Sequence, residues 1–245
     1  MNICIDQGNT RVKVGVFNGH QLLRTEVTTQ LDANYMTSLI GDSDGIRCIY
    51  ASVARQDNSV ADFLTARFGD DFIRFDHTTP VPITNNYATP ETLGLDRLAA
   101  AVGAYSIMPA HNLLIIDAGT AVTYDMVEAP GIYVGGNIAP GVQMRLRALH
   151  DYTGRLPLVD VAAGTIPFIG NDTQSAIRSG VLNGIGMEME GYVSRLGNKY
   201  GKLCVFLTGG DAPLFHNRLN FANFAEPNLV LIGLNSILDF NATTT

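Results

Sequence analysis

Short apolar runs separated by polar turns dominate the start of the chain. The alternation predicts three strands, over residues 2–6, 12–17 and 21–27. Asn18 and Gly19 lie between the second and third runs, and an Asn-Gly pair between apolar runs is a strong hairpin signal. We therefore expect the chain to begin with three strands, of which the last two form a hairpin.

The rest of the first half alternates strands with helices. Further strands are predicted over residues 46–53 and 72–75. Apolar residues three or four positions apart predict one helix that starts near Asp57 and another that runs from Leu95 to near Pro109. The proline-rich segment between these helices, residues 79–90, predicts a loop.

The second half follows the same plan. Its strands are predicted over residues 113–117, 121–126, 133–138 and 202–208, and its helices over residues 142–150, 173–196 and 229–240. The alternation in both halves predicts an α/β fold with a mixed β-sheet flanked by helices in each half. We therefore expect two related domains, residues 1–110 and 111–245, with a cleft between them.

One acidic turn occurs in both halves. The first predicted strand ends in Asp6-Gln7-Gly8-Asn9-Thr10, and the strand over residues 113–117 ends in Asp117-Ala118-Gly119-Thr120, 111 positions later. A glycine can bring backbone amides close to a phosphate through a positive φ, and a carboxylate can hold Mg²⁺. An ordinary hairpin turn uses the same residue types. The recurrence at the matching point favours a phosphate and metal function.

Composition narrows the class of protein. The 245 residues are 46% hydrophobic and 16% charged, which is enough apolar material for packed cores. A formal net charge of −7 argues against a nucleic-acid partner, and the longest apolar runs are far too short for a membrane span. Cys4, Cys48 and Cys204 are scattered in apolar runs, as reduced thiols are. We therefore expect a cytoplasmic protein.

Three other glycine-containing motifs carry candidate chemistry. Gly94-Leu95-Asp96-Arg97 begins a predicted helix, so Asp96 either stabilises the helix dipole or serves as a general base beside the cationic Arg97. The small-residue run 135–141 predicts either a loop against a cleft or interface, or a simple turn into a helix. Thr208-Gly209-Gly210-Asp211 follows a strand and could approach a nucleotide base or ribose.

Together these motifs resemble the type III pantothenate kinases, within the acetate-kinase, sugar-kinase, Hsp70 and actin superfamily. The resemblance spans nearly the whole chain and rests on the order and spacing of the motifs. These are the two acidic turns, Tyr87 with Pro90 ahead of Gly94-Leu95-Asp96-Arg97, the glycine-rich run 135–141, Asn171-Asp172-Thr173 leading to Gly180, and Thr208-Gly209-Gly210-Asp211. The resemblance implies two actin-like (ribonuclease-H-like) domains.

The resemblance also implies a reaction, its cofactors and its partners. The γ-phosphoryl group of ATP is transferred to the terminal hydroxyl of pantothenate, the first step of coenzyme A biosynthesis. The implied cofactors are ATP, Mg²⁺ and a monovalent cation, K⁺ or NH₄⁺. A homodimer is implied, in which the partner subunit completes the substrate pocket.

By the same resemblance, roles fall to individual residues. Asp96 is the general base and also touches the substrate, Asp117 binds the monovalent cation, and Asp6 holds Mg²⁺, directly or through water. The remaining implied residues bind ATP (Asp6, Gln7, Gly8, Asn9, Thr10, Arg11, Val12, Lys13 and Thr120) or pantothenate (Tyr87, Gly94, Leu95, Arg97 and Thr173). One departure from the family pattern, Arg55 where a proline is common, concerns only a local loop.

Two alternatives to this function remain at the level of the sequence. The first is another enzyme of the same superfamily, either a small-molecule or sugar kinase or a phosphohydrolase that uses water as the acceptor. The second is a nucleotide-binding regulatory protein. The presence of Asp96 weighs against the regulator, because a regulator needs ATP binding but no general base.

Overall fold

A computed structural model describes residues 1–8, 11–29, 31–40, 45–52, 58–161, 166–221 and 224–242. The predicted ATP ligands Asn9 and Thr10, and the family departure Arg55, lie outside the described residues. The strands are β1 (Asn2–Gln7), β2 (Val12–Asn18), β3 (Gln21–Thr28), β4 (Arg47–Ser52), β5 (Phe72–Arg74), β6 (Thr84–Asn85), β7 (Asn112–Ala118), β8 (Ala121–Glu128), β9 (Ile132–Pro140), β10 (Leu203–Thr208) and β11 (Phe224–Ala225). The α-helices are α1 (Ala33–Ile40), α2 (Asn58–Phe68), α3 (Leu95–Ile107), α4 (Val142–Asp151), α5 (Thr173–Tyr200), α6 (Ala212–Phe215) and α7 (Leu229–Ala242), and short 3₁₀ turns cover Gly69–Asp71 and Pro90–Thr92.

The chain folds into two compact units. The first comprises Met1–Ala110, Pro130–Val134 and Asn228–Thr245, and the second comprises His111–Ala129 and Gly135–Pro227. After residue 111 the chain therefore returns twice to the first unit, once at the start of β9 and once in α7. The domain limits 1–110 and 111–245, and the cleft between the domains, stay predictions.

The first unit contains a five-stranded mixed sheet in the order β3-β2-β1-β4-β5. β1 is antiparallel to β2 and parallel to β4, as a hairpin followed by a helical crossover requires. Ile3 and Ile5 on one face of the sheet pack with Met36 of α1 and Leu64 of α2. On the opposite face, Asn2 donates a hydrogen bond to Asn235 of α7. The sheet is thus covered by helices on both faces.

The second unit repeats this arrangement. Its strands follow the order β11-β10-β7-β8-β9, with β7 antiparallel to β8 and parallel to β10. The sheet packs against α4 and α5 through a core that includes Leu114, Ile116, Tyr124, Leu146, Ile185 and Met189. The strand order 3-2-1-4-5 of the first unit recurs here as 9-8-7-10-11. The predicted α/β fold, with two related mixed sheets flanked by helices, is confirmed.

Four short elements differ from the expectations, because non-local contacts stabilise them. α1 has no strong sequence signal, yet Met36 and Ile40 are buried under the first sheet. The two-residue strand β6 lies in the predicted loop 79–90 and pairs with Ile132 and Tyr133 of β9. α6 and β11 are likewise short elements of the second unit that the pattern did not predict. A pattern over neighbouring residues does not reveal pairing with a segment tens of residues away.

Across the described part of the chain, no helix combines the length and the apolar character needed to cross a membrane.

Candidate active site

Asp6 lies near the end of β1 and faces a lysine across the hairpin. It pairs with Lys13 of β2 in the antiparallel ladder, so the two side chains project from the same face of the sheet. Asp6 is only partly exposed. A carboxylate and an ammonium group therefore lie beside each other at the end of the strand.

Burial and a second carboxylate raise the pKa of Asp6. Burial is the largest cause, the charge of Asp96 adds to it, and Lys13 opposes it, so the pKa rises to about 6. Asp96 therefore lies close enough to Asp6 for electrostatic coupling. Two carboxylates that repel each other in a partly buried position would be relieved by a divalent cation. This is the chemical fit expected of a Mg²⁺ site.

The turn after β1 has a different geometry from the one expected. Gly8 does not have a positive φ, so the expectation that it uses the left-handed region is wrong. Its N–H instead donates to the carbonyl oxygen of Arg11 at 3.0 Å, which closes the turn. Gln7 accepts a hydrogen bond from the hydroxyl of Tyr50. Arg11 is exposed, whereas Val12 is buried, so Val12 supports the turn from the core.

Asp96 occupies the first turn of α3. Its Oδ1 accepts a hydrogen bond from the backbone N–H of Arg97 at 2.9 Å, which holds the carboxylate at the amino end of the helix. The residue before the helix, Gly94, has no room for a side chain. A Cβ there would lie 2.6 Å from Oδ1 of Asp96. Gly94 is therefore required by the position of the carboxylate, not by a special φ.

Arg97 is buried beside an aromatic ring. It is 7% exposed, and its guanidinium carbon lies 5.8 Å from the centroid of the Tyr87 ring. This distance is within the range of a cation–π interaction. Leu95, another predicted substrate ligand, is partly exposed at the start of α3. Tyr87 and Arg97, predicted as ligands of one substrate, are thus in contact.

The second acidic turn is enclosed by glycines. Asp117 is the next-to-last residue of β7, and the N–H of Gly141 donates to the carbonyl oxygen of Thr120 at 3.1 Å. Gly209 has φ +94°, and a Cβ there would lie 2.4 Å from both Oδ1 of Asp117 and the carbonyl oxygen of Ala118. A side chain at Gly141 would similarly collide with the backbone of residues 119 and 120. Backbone segments therefore approach Asp117 more closely than any side chain would permit.

A substitution at Gly209 tests this close approach. We expect Gly209→Ala to lower the free energy of unfolding by about 1–3 kcal/mol, because alanine is strained at this φ and its Cβ meets backbone atoms. Gly210→Ala is the matched control, since a Cβ there meets nothing within 4 Å. Urea unfolding of the two variants measures the difference. Equal stability of the two variants would contradict the proposed crowding at Asp117.

Thr173 lies in a different part of the second unit. It is the first residue of α5 and is exposed. It lines a groove of about 860 Å³ whose other lining residues come from α4, α5 and the segment between them: Arg145, Ala148, Leu149, Tyr152, Thr153, Leu156, Ala176, Ile177, Gly180 and Val181. The groove is mostly apolar. Large apolar side chains elsewhere in this unit are also exposed, among them Met144, Phe168, Ile169 and Met187.

The predicted residues therefore fall into three groups. In the first unit, Asp6, Lys13 and Asp96 interact electrostatically, and Tyr87 contacts Arg97. In the second unit, Asp117 and the exposed Thr120 share one turn, and Thr173 lines the apolar groove. No cluster of three or more histidine, cysteine or acidic residues suited to a metal is found among the described residues.

Some residues of the candidate site were not assigned from the sequence. The glycines of the motifs 135–141 and 208–211 were noted, but their contact with the Asp117 turn was not predicted. Tyr133, which packs against Tyr87 with ring centroids 6.1 Å apart, carried no local signal. The sequence pattern predicted only that Tyr133 begins a strand.

Comparison with known proteins identifies a family. The family model described as type III pantothenate kinase matches residues 2–195. A type III pantothenate kinase from Phocaeicola vulgatus is 44% identical over 241 residues, which cover 98% of this chain and 99% of the relative. The region matched by the family model includes every residue singled out above for the candidate site except those of the motif 208–211. The alignment with the Phocaeicola vulgatus relative covers nearly the whole chain.

Solved structures with low sequence identity share the fold. A Campylobacter jejuni protein named as a conserved Baf family transcriptional activator gives a TM-score of 0.60 at 20% identity, with 98% of this chain and 99% of that chain covered. A glucokinase from an Antarctic psychrotroph gives 0.53 at 12% identity, with 98% of both chains covered. At such identities the likeness concerns the fold alone.

Proposed function

This chain belongs to the type III pantothenate kinase family, and we propose that it transfers the γ-phosphoryl group of ATP to the terminal hydroxyl of pantothenate. The family membership makes the protein an ATP-dependent kinase of coenzyme A biosynthesis. The single observation that carries the residue assignments is the electrostatic coupling of Asp6 with Asp96 at the start of α3. Phosphoryl transfer needs mainly positioning and charge neutralisation; Asp96 would position the attacking hydroxyl, and Asp6 would hold the Mg²⁺ that neutralises phosphate charge.

In this proposal the β1–β2 turn binds the phosphates of Mg²⁺-ATP. Lys13 supplies a positive charge opposite Asp6, and the N–H of Gly8 joins the two ends of the turn by its hydrogen bond to Arg11. Mg²⁺, when bound, neutralises phosphate charge and is held by Asp6. Mg²⁺ commonly uses only one or two protein carboxylates together with substrate phosphates. A single partly buried aspartate is therefore a sufficient protein ligand.

Asp96 is the proposed general base. Its carboxylate takes the proton of the attacking hydroxyl, while the N–H of Arg97 holds Oδ1 in place. Gly94 leaves room for this carboxylate, because a side chain there would meet Oδ1. Tyr87 and the buried Arg97 are proposed to bind pantothenate beside the base, with the positive charge of Arg97 attracting the carboxylate of pantothenate. Leu95 is proposed as a further contact with the substrate.

In the second unit, Asp117 is proposed to bind K⁺ or NH₄⁺, and Thr120 to contact ATP. A backbone carbonyl oxygen, that of Ala118, lies near the Asp117 carboxylate, because both would be 2.4 Å from a Cβ at Gly209. Oxygen atoms of this kind replace the hydration shell of K⁺ in proteins. A monovalent cation at this turn would add positive charge to the site.

The cation assignment gives a direct prediction. We expect Asp117→Asn to remove most of the activation by K⁺, because the variant lacks the charge that attracts the cation. The measurement is the initial rate against KCl concentration, with ionic strength held constant by a large organic cation. Asp160→Asn, an exposed carboxylate of the same unit, is the control and should keep the wild-type response. An unchanged K⁺ response in Asp117→Asn would place the cation elsewhere.

We further propose that the protein is a homodimer and that the apolar groove at Thr173 is covered by the partner subunit. The groove and the exposed apolar side chains of this unit are the surface type that subunit contacts use. Thr173 would then reach the substrate pocket as part of that interface. Light scattering is expected to give twice the chain mass of 26.4 kDa, and Val181→Glu in the groove is expected to give a monomer with reduced turnover. A fully active wild-type monomer would contradict this proposal.

A cytoplasmic location is part of the proposal. Cys4, Cys48 and Cys204 are all free and buried, as in proteins of reducing compartments. Burial raises the pKa of the Cys4 thiol well above its usual value, so this thiol is not activated. These features support a reducing environment.

The identity of the product tests the proposed reaction. Purified protein is incubated with ATP, Mg²⁺, K⁺ and pantothenate, and the product is examined by mass spectrometry and by phosphorus–proton NMR correlation. We expect one added phosphoryl group, correlated with the protons of the terminal hydroxymethyl carbon. Phosphorylation of a sugar but not of pantothenate would favour another kinase of the superfamily. Bound ATP without any acceptor turnover would favour the regulatory alternative.

A further inference from the structure

Tyr133 supports the Tyr87–Arg97 pair of the first unit. It lies in β9 and is fully buried. Its ring packs edge-on against the Tyr87 ring, with centroids 6.1 Å apart and an angle of 61° between the planes. Tyr87 in turn lies under the guanidinium group of Arg97. The three side chains therefore form a continuous series of contacts. Tyr133 anchors one end of this series in β9, and Arg97 anchors the other end in α3.

The backbone reinforces this series of contacts. The N–H of Thr84 donates to the carbonyl oxygen of Gly131 at 2.9 Å, and the N–H of Asn86 donates to the carbonyl oxygen of Tyr133 at 3.0 Å. The residue that follows is Tyr87, whose own N–H donates to Oδ1 of Asn85. The segment that carries Tyr87 is thus fixed to β9 by main-chain hydrogen bonds, and the contact between the two rings then sets the side chain.

The same strand is anchored to α3. Gly131 has φ +117°, and a Cβ there would lie 2.8 Å from the ring of Tyr105, so this ring packs directly on the glycine backbone. Tyr105 and Arg97 belong to the same helix. A closed circuit of contacts therefore runs from α3 through Gly131 and Tyr133 to Tyr87, and back to α3 at Arg97.

The circuit of contacts also holds the aromatic ring that faces the buried charge of Arg97. A guanidinium group that is 7% exposed has lost most of its hydration, and the face of an aromatic ring returns part of the lost stabilisation. That contribution depends on the ring being held at one angle and distance. The Tyr133 ring packs edge-on against the Tyr87 ring, and this contact favours one position of the Tyr87 ring.

We propose that Tyr133 is a positioning residue for the acceptor substrate. It acts through Tyr87 and holds the Tyr87–Arg97 pair in the geometry that binds the acceptor. This inference rests on the proposed function, in which Tyr87 and Arg97 bind pantothenate. Tyr133 itself does not touch the reacting atoms, so its effect falls on the affinity for the acceptor and not on the chemical step.

Kinetics of variants at this position test the proposal. We expect Tyr133→Leu to raise KM for pantothenate about tenfold, the effect of losing one aromatic contact and loosening another. kcat and KM for ATP should stay within about twofold of wild type, the pattern of lost uniform binding. Tyr133→Phe keeps the ring and is expected to keep the wild-type KM. If Tyr133→Leu does not fold, Tyr133→Met fills more of the space without a ring and takes its place.

A double-variant cycle separates positioning from a general loss of stability. If Tyr133 acts through Tyr87, Tyr133→Leu should have almost no further effect on KM in a Tyr87→Leu background. Phe17→Leu is the matched control. It removes a fully buried ring at the opposite end of β1 from Asp6, and it should lower stability without changing KM. Additive effects of the Tyr133 and Tyr87 variants on KM would overturn the proposal, as would a KM change in Phe17→Leu of equal size.

A spectroscopic readout keeps this inference distinct from the proposed reaction. The Nε–H signal of Arg97, assigned by its absence in Arg97→Lys, reports the position of the Tyr87 ring through the ring-current shift. We expect this signal to move in Tyr133→Leu and to stay in place in Tyr133→Phe. If the wild type does not phosphorylate pantothenate, the proposed function fails, and the Arg97 signal still decides whether Tyr133 positions the pair. An unmoved signal in Tyr133→Leu would overturn the positioning role in either case.

Discussion

Asp96→Asn is expected to lower kcat by about 10²–10⁴, the usual contribution of a general base. The amide keeps the shape of the carboxylate and can still accept the hydrogen bond from the N–H of Arg97. It cannot take the proton of the attacking hydroxyl. Binding of a non-hydrolysable ATP analogue, measured by calorimetry, should change by less than about threefold, because the proposed phosphate ligands lie on β1 and β2.

A control separates the loss of the base from a loss of charge. Asp62→Asn removes an exposed carboxylate from α2, a helix that packs on the sheet face carrying Ile3 and Ile5. We expect this variant to keep wild-type kcat. A residual kcat in Asp96→Asn within tenfold of wild type would mean that another group takes the proton.

Asp6→Asn is expected to abolish turnover and, in the absence of Mg²⁺, to stabilise the fold. The pKa of Asp6 is raised from 3.8 to about 6 by burial and by the charge of Asp96. A carboxyl whose pKa is raised on folding favours the folded state less as it ionises. Its contribution to stability is therefore lost as the pH rises from 3.8 to about 6. Asparagine does not ionise and avoids this loss.

The size and the pH dependence of this effect can be measured. At pH 8 without Mg²⁺, urea unfolding of Asp6→Asn is expected to give a free energy of unfolding about 2 kcal/mol above that of wild type. The difference should shrink as the pH falls and approach zero below the unfolded-state pKa of 3.8, where the wild-type carboxyl is protonated in both states. Asp62→Asn should show no such pH dependence. An Asp6→Asn variant that is less stable than wild type at pH 8 would contradict the assignment of a strained acidic pair.

A stability gain that accompanies a loss of function is typical of a ligand site. The coupling between Asp6 and Asp96 costs folding free energy in the empty protein, and Mg²⁺ together with the ATP phosphates would change that balance on binding. The strain therefore argues for an occupant of opposite charge. A plain hairpin turn, the alternative for the Asp6 motif, would have no reason to keep two carboxylates close enough to repel each other.

The sequence predicted those parts of the site that depend on neighbouring residues in the chain. The strand that ends in Asp6, the hairpin of β2 and β3 and the helix that begins after Gly94 are all local patterns. The repeat of the acidic turn also predicted the second sheet, whose strand order matches that of the first. The pairing of Asp6 with Lys13 was not predicted.

The remaining parts of the site depend on distant residues. The role of Gly209 follows from the backbone of Ala118, which is 91 positions away and adjacent in space. Tyr133 contacts Tyr87 only because β9 pairs with β6, a strand too short to have a pattern of its own. The predicted positive φ of Gly8 was wrong for a related reason. Glycine permits a positive φ but does not require one, and at this position a Cβ would lie 3.3 Å from the carbonyl oxygen of Arg11, a tight contact.

The most direct test of the proposed function is the rate of ADP release from the purified protein with Mg²⁺-ATP, in the presence and absence of pantothenate and of K⁺. We predict turnover that requires pantothenate and is strongly increased by K⁺ in wild type but not in Asp117→Asn. ADP release of equal rate without pantothenate would contradict the proposed acceptor, even if the acidic turns bind ATP.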